Sequence, residues 1–247
     1  MNKQDYVNSF YRTGHEEEFI ADFYFFEDAY TKFKNGDKKN LKWVILSLHM
    51  LLQNLFILSL KSTHPFYVYK NECAHSVNGK KYNFKINFEF NQELFKIEGD
   101  TIWLHPYFPF GNSFELILQG LSDEGIMITK KQLSYVGKGI QNLISFDELF
   151  KRIKNKTYMQ VYINSNELPN DNAFNDSIKQ LNALRNKFIH LSPDSWSIDF
   201  LIISDFVPNC LKIALFLLEE SNNIISLDEG VRENISYKIK NKLLYEN

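Results

Sequence analysis

The residues best suited to chemistry lie in one short segment, Arg185-Asn186-Lys187-Phe188-Ile189-His190. A histidine can accept and release a proton near neutral pH, so His190 is a candidate general acid or base. An arginine stays charged and offers a planar fork of donors, which suits Arg185 to a transition state that gathers negative charge. The amide of Asn186 could orient the histidine or hold an anionic oxygen. We therefore predict a catalytic site made of Arg185, Asn186 and His190.

This segment closes a predicted helix of residues 174–190, and a break that contains proline follows at residues 192–194. Residues four apart share a helix face, but Arg185 and His190 are five apart and differ by roughly 140° in a regular helix. The arginine must then wrap around the helix, or the helix end must distort, or the site must close against a second copy. A symmetric dimer satisfies the third condition, so we expect a homodimer.

Several of these residues also have a purely structural interpretation. Positive side chains stabilise a helix C-terminus, and both Arg185 and His190 fall in the last turns of their helix. His49, on an apolar helix, is more typical of a satisfied core histidine than of a catalyst, and Gln53, one turn on, is a candidate partner. Three lysines are expected to form a solvated helix start, although they could also contact phosphates: Lys38, Lys39 and Lys42.

The composition is that of a soluble globular protein. Of 247 residues, 44% are hydrophobic and 23% are charged. The net charge of −2 excludes a protein whose whole surface binds phosphate, but it allows a local basic site. Two cysteines, Cys73 and Cys210, are too few for a disulfide framework and lack the spacing of a zinc site, so we predict a reducing, cytoplasmic location. His64, His75 and His105 also lack the spacing of metal ligands, and we predict no metal and no cofactor.

Two helices are predicted near the N-terminus, at residues 16–35 and 40–62, and the short connection between them predicts an antiparallel pair. The apolar run Trp43 to Leu60 reaches the lower length limit of a membrane span. It also contains polar residues in its middle, which are costly in lipid. We therefore predict a buried central helix and no membrane association.

The middle of the chain predicts strands. Apolar and polar residues alternate from Tyr82 to Phe90, and short strands are possible at residues 95–97 and 101–104. The run from His105 to Gly111 predicts an aromatic loop, expected to pack inside the protein rather than to stack on bases. Residues 112–140 allow either a strand or a helix.

Helical patterns return in the C-terminal part, at residues 146–155, 195–221 and 227–244, with Pro208 expected to kink or split the second of these. The fold class is therefore mainly α. We predict a single helical domain over residues 1–247 with a small β-rich insertion at residues 76–135.

The segment Leu184-Arg185-Asn186-Lys187-Phe188-Ile189-His190 resembles the RxxxxH signature of the HEPN superfamily, in which a polar residue, often asparagine, follows the arginine. The helical pair at 16–62 and the helices from 174 to about 221 resemble the two parts of that family's helical bundle. The resemblance covers about half of the chain and does not include the strand-rich insertion.

The resemblance implies a HEPN-like, often dimeric, metal-independent ribonuclease of a toxin–antitoxin or anti-phage system, with an antitoxin or other protein as a possible partner. RNA supplies its own nucleophile, the 2′-hydroxyl, so cleavage needs proton transfer and charge stabilisation, with a 2′,3′-cyclic phosphate and a 5′-hydroxyl as products. The alternative is a non-catalytic HEPN-like module that binds a nucleotide, RNA or a protein.

Overall fold

The computed structural model describes residues 14–90, 92–106, 108, 113–160, 164–190, 198 and 200–244. The chain divides into two compact units. The first, called here the helical unit, consists of Met1–His64 and Phe146–Asn247, and the second, called here the mixed unit, consists of Pro65–Ser145.

The helical unit contains α1 (His15–Lys34), α2 (Leu41–Thr63), α5 (Phe146–Ile153), α6 (Lys156–Met159), α7 (Asn172–Ile189), α8 (Phe200–Glu219) and α9 (Glu229–Leu244). The mixed unit contains β1 (Glu72–Val77), β2 (Lys80–Ile86), β3 (Phe95–Glu98), β4 (Thr101–Leu104), α3 (Ser113–Asp123) and α4 (Lys130–Ile140). A 3-10 turn precedes α2 at Lys38–Asn40, and another begins the mixed unit at Pro65–Val68. The chain is thus mostly helical with one small sheet, as the mainly α prediction states.

The pairing of α1 with α2 follows from the spacing of the aromatic residues. Phe19, Phe23, Phe26, Tyr30 and Phe33 recur every three or four residues in α1, and all five are buried. Asn54, late in α2, donates a hydrogen bond to Asp22, early in α1, so the two helices run antiparallel. This confirms the predicted helical pair.

Helix α2 lies at the centre of the helical unit, where it packs against α1, α5, α7 and α8. The stretch Lys38–Thr63 is long and apolar enough to cross a membrane, with a mean hydropathy of 1.8, but 72% of its most apolar window is buried inside the protein. Burial by neighbouring helices removes the apolar side chains from water without lipid. The segment therefore has the packing of a central helix in a soluble protein.

The mixed unit is built on a four-stranded sheet of order β1-β2-β4-β3. The β2–β4 pair is parallel, whereas the β1–β2 and β3–β4 pairs are antiparallel. Buried residues of the strands, of α3 and of α4 form one apolar cluster. Helix α4 comes close to β1 at Gly139, where an added Cβ would lie 2.5 Å from the Cys73 sulfur.

Two features of the mixed unit differ from the sequence expectation, and a third decides between two alternatives. Strand β1 is not among the predicted strands, and residues 112–140, for which the sequence allows a strand or a helix, contain two helices. Strand β2 ends at Ile86 instead of continuing to Phe90, because the Asn87 side chain accepts a hydrogen bond from the Glu89 backbone and starts a turn. Phe88 and Phe90, which continue the alternating pattern in the sequence, therefore lie outside the strand, and Phe88 is 37% exposed.

Helix α8 continues through Pro208 as one element, so the proline does not split the helix. The aromatic loop is described only in part: Phe108 is fully buried and stacks on Phe114 at 6.0 Å, as expected for internal packing. Most of the break after His190, residues 191–197, lies outside the described residues.

Candidate functional site

Helix α7 positions all three predicted site residues at its C-terminal end. It begins after Asp171, whose side chain accepts a hydrogen bond from the Ala173 backbone and caps the first turn. Its buried face consists of Ser177, Ile178, Leu181 and Leu184. Because this face packs against α2 and α8, the last turn is held on a rigid scaffold rather than on a loop.

Arg185 and Asn186 are joined at this helix end. Nη1 of Arg185 donates a hydrogen bond of 3.0 Å to the side-chain oxygen of Asn186. Arg185 is half-buried, and Asn186 is exposed. The asparagine thus holds the guanidinium near the surface, where its remaining donors can meet an anion.

His190 is the residue at which the helix ends. Its φ of −89° and ψ of 93° are extended, while its backbone N–H still donates to the Asn186 carbonyl at 2.9 Å. The helix therefore stays helical through Ile189 and departs from this geometry at the histidine. The His190 side chain is exposed, and within the described part of the chain no hydrogen bond links it to Arg185 or Asn186.

The structure adds His49 to this region, a residue that the sequence analysis assigned to the core. His49, in α2, is 3% exposed, and its ring packs on that of Phe146 with 4.0 Å between centroids. Desolvation and the positive charge of Arg185 lower the pKa of His49 to about 4, although a hydrogen bond that the imidazole donates to Asn182 opposes that shift. His49 is therefore a neutral imidazole next to the predicted site.

The partner of His49 is Asn182 and not Gln53, so the expected pairing within α2 is wrong. Nδ2 of Asn182 donates to both carboxylate oxygens of Asp147 at 3.1 Å. Its amide oxygen is then left to accept from the imidazole, which agrees with the direction in which this bond shifts the His49 pKa. Nε2 of His49 is buried and has no hydrogen-bond partner among the residues described.

A second polar cluster joins α1 to α2 at the other end of the pair. Nδ1 of His15 lies 3.1 Å from the Asn54 side-chain oxygen, and Asn54 donates to Asp22 at 3.0 Å. Desolvation raises the pKa of Asp22 to about 6. Asn54 therefore links His15 to Asp22 through one hydrogen bond to each.

Neither cysteine forms a disulfide: Cys73 is half-buried and Cys210 is buried. Burial raises the pKa of both thiols, so both are held protonated at neutral pH. Over the described ranges, no group of three or more His, Cys, Asp or Glu side chains is arranged to hold a metal ion.

No protein-family model, curated protein or solved structure matches this chain. The resemblance to the HEPN superfamily therefore rests on the amino-acid sequence alone.

Proposed function

We propose that this chain is a HEPN-like, metal-independent endoribonuclease, acting in the cytoplasm as a toxin or phage-defence effector. The observation that carries the proposal is the Arg185–Asn186 side-chain pair at an exposed helix end, from which His190 departs in extended geometry. An anchored guanidinium and an accessible imidazole are the two groups that cleavage by a 2′-hydroxyl needs.

In the proposed reaction the 2′-hydroxyl of RNA loses its proton and its oxygen attacks the adjacent phosphorus. The bond from phosphorus to the 5′-oxygen breaks, and that oxygen leaves with a proton as a 5′-hydroxyl. His190 transfers a proton at one of these oxygens, and Arg185 stabilises the negative charge that gathers on the phosphoryl oxygens. Asn186 keeps the guanidinium in place through its 3.0 Å hydrogen bond.

The test is cleavage of single-stranded RNA and of transfer RNA by the purified full chain in the presence of EDTA, with the product ends identified. Wild-type protein should yield 2′,3′-cyclic phosphate and 5′-hydroxyl ends. His190→Ala and Arg185→Ala should each lower the cleavage rate by about 100-fold or more while the helical circular dichroism signal stays unchanged.

Ile189→Ala is the matched control, because it truncates an exposed neighbour of His190 that carries no donor, acceptor or charge. It should retain cleavage within about twofold of wild type. Wild-type protein that cleaves neither substrate would reject the ribonuclease proposal and favour the non-catalytic binding module. Equal losses in the alanine variants of Ile189 and His190 would reject the assigned roles.

A further inference from the structure

Two adjoining cavities lie beside the C-terminal end of α7. The first, of about 240 Å³, includes Tyr30, Phe33, Lys34 and Ser204 in its lining, and the second, of about 300 Å³, includes Leu41, Phe188 and Ile198. Lys38 and Phe200 line both cavities, so the two form one depression. We call it the lysine–aromatic groove and define it by Lys34, Lys38, Lys39, Lys42, Phe188 and Phe200.

Three of the four lysines that define the groove carry a positive charge that no described carboxylate pairs with. Lys38, Lys39 and Lys42 form no ion pair within the described ranges, and no described carboxylate lines either cavity. The nearest acidic residue in sequence, Asp37, accepts hydrogen bonds from the Lys39 backbone and the Asn40 side chain, and among the described residues it forms no ion pair with Lys38, Lys39 or Lys42. With a net charge of only −2 on the whole chain, this is a local site for an anion rather than a property of the whole surface.

The groove also presents an aromatic face. Phe200 is 44% exposed and packs against Phe33 with 5.8 Å between centroids. Nζ of Lys38 lies 4.8 Å from the Phe33 centroid and 4.9 Å from the Phe200 centroid. Ammonium groups around an exposed ring, here that of Phe200, are the chemistry that binds single-stranded nucleic acid, because phosphates bind to the charges and a base stacks on the ring.

We propose that the lysine–aromatic groove binds single-stranded RNA and leads it to the site at Arg185 and His190. Phe188 belongs to the predicted site segment and also lines the groove, so the groove reaches the helix turn that carries the predicted site. Each cavity is at the small end of ligand pockets and accepts an unstacked base but not a duplex. The proposal rests on the proposed function in taking RNA as the ligand, but it concerns binding and not cleavage.

The experiment measures binding of a fluorescent oligouridylate of about twelve nucleotides to the full chain by anisotropy. Every 2′-hydroxyl is methylated, which removes the nucleophile, so binding is read without cleavage. Lys39→Gln/Lys42→Gln should weaken binding about 10-fold or more at roughly 0.1 M salt. It should also lower the slope of log affinity against log salt by about 1.4, as expected for two lost phosphate contacts on a single strand.

The matched control is Lys156→Gln/Lys179→Gln, which removes the same charge from exposed lysines that line neither cavity. It should bind within about twofold of wild type. Phe200→Leu should lower affinity roughly 5-fold or more, whereas Tyr237→Leu, at an exposed aromatic residue outside the groove, should not.

The proposal is overturned if wild-type protein does not bind this RNA, or if a duplex of the same length binds as tightly. It is also overturned if both lysine variants lose affinity equally, or if a polyglutamate peptide competes as well as RNA, which would indicate a protein partner. Binding that depends on the groove without cleavage of natural RNA would reject the ribonuclease proposal alone. Cleavage that is unaffected in the groove variants would reject the groove alone.

Discussion

At the scale of single residues, two buried titratable groups make opposite contributions to stability as the pH falls. His49 has a pKa of about 4 in the fold, below its ordinary value of 6.5, so the unfolded chain binds a proton first and stability is lost between about pH 6.5 and 4. Asp22 has a pKa raised from 3.8 to about 6, so the folded chain binds a proton first and stability is gained between about pH 6 and 3.8.

We predict that replacing either residue leaves a pH dependence of the free energy of unfolding that shows the contribution of the other residue. With Asp22→Asn, which removes the costly buried charge, the free energy of unfolding should rise at pH 7 and fall by about 1 kcal/mol more than in wild type on going to pH 5, because the gain from Asp22 is gone and the loss from His49 remains. With His49→Leu, the free energy of unfolding should fall by about 2 kcal/mol less than in wild type on going from pH 7 to pH 5, because the loss from His49 is gone and the gain from Asp22 remains. Urea unfolding of the three proteins at both pH values measures this.

The other titratable groups are common to all three proteins, so only differences between their pH profiles are interpreted. Glu16→Gln, at a nearby residue of α1, serves as the control and should follow the wild-type profile. Parallel profiles for all variants would mean that neither His49 nor Asp22 has the shifted pKa described above.

The sequence identified the candidate site residues but not their surroundings. Arg185, Asn186 and His190 were found because they are close in sequence and close a helix. The predicted partner of His49, Gln53, was wrong because the observed partner, Asn182, lies 133 positions away in the sequence. Only the packing of α7 on α2 brings His49 and Asn182 together. Lys38, Lys39 and Lys42 could be noted from the sequence, but their proximity to Phe188 and Phe200 depends on tertiary contacts of the same kind.

At the scale of elements, α9 depends on a polar connection to α1. Its buried residues are few: Ile235, Ser236 and Ile239. Glu27 of α1 accepts from Lys238 at 2.7 Å and lies 3.6 Å from Nζ of Lys242. Lys238 also lies 5.0 Å from the Tyr24 ring centroid. These groups are only partly exposed, so screening by water weakens them less than it does a surface pair.

Glu27→Ala should therefore destabilise α9 in particular, because it leaves two partly buried lysines without their carboxylate. We expect a loss of about 1 kcal/mol in the free energy of unfolding, and faster amide hydrogen exchange in Glu229–Leu244 than in the other helices. Asp28→Ala, which breaks an exposed pair with Lys32, should have almost no effect. Uniformly faster exchange across the helical unit would show that Glu27 does not act on α9 specifically.

Sequence periodicity predicted the helices of the helical unit and was weaker in the mixed unit. Helices α1, α2, α7 and α9 have long apolar stripes, which a period near 3.6 makes visible. Strand β1 has only one fully buried residue, Val77, so it lacks a clear alternation. The two helices of the mixed unit are 11 residues each and are short enough for their apolar residues to fit either period.

At the scale of the whole molecule, the predicted site is incomplete in one chain. The His190 side chain is exposed, and among the described residues no hydrogen bond joins it to the side chain of Arg185 or of Asn186. The five-residue spacing of Arg185 and His190 allowed a wrapped arginine, a distorted helix end or a second copy. In the structure the helix end departs from helical geometry only at His190 itself. A symmetric dimer that pairs the arginine of one copy with the histidine of the other remains our prediction, because a two-fold axis near α7 would form two equivalent sites.

Mixing two inactive variants tests this arrangement. In a heterodimer of Arg185→Ala with His190→Ala, a site that combines residues of both copies is intact once, whereas a site within one copy is never intact. After the subunits exchange, half of the dimers are mixed, so cleavage should return to about a quarter of the wild-type rate. The same variants mixed below the dimer dissociation constant, measured by light scattering, should stay inactive. If the wild type is active but the mixed dimers of the two variants are not, the site lies within one chain. If the wild type is active as a monomer, catalysis does not need the dimer.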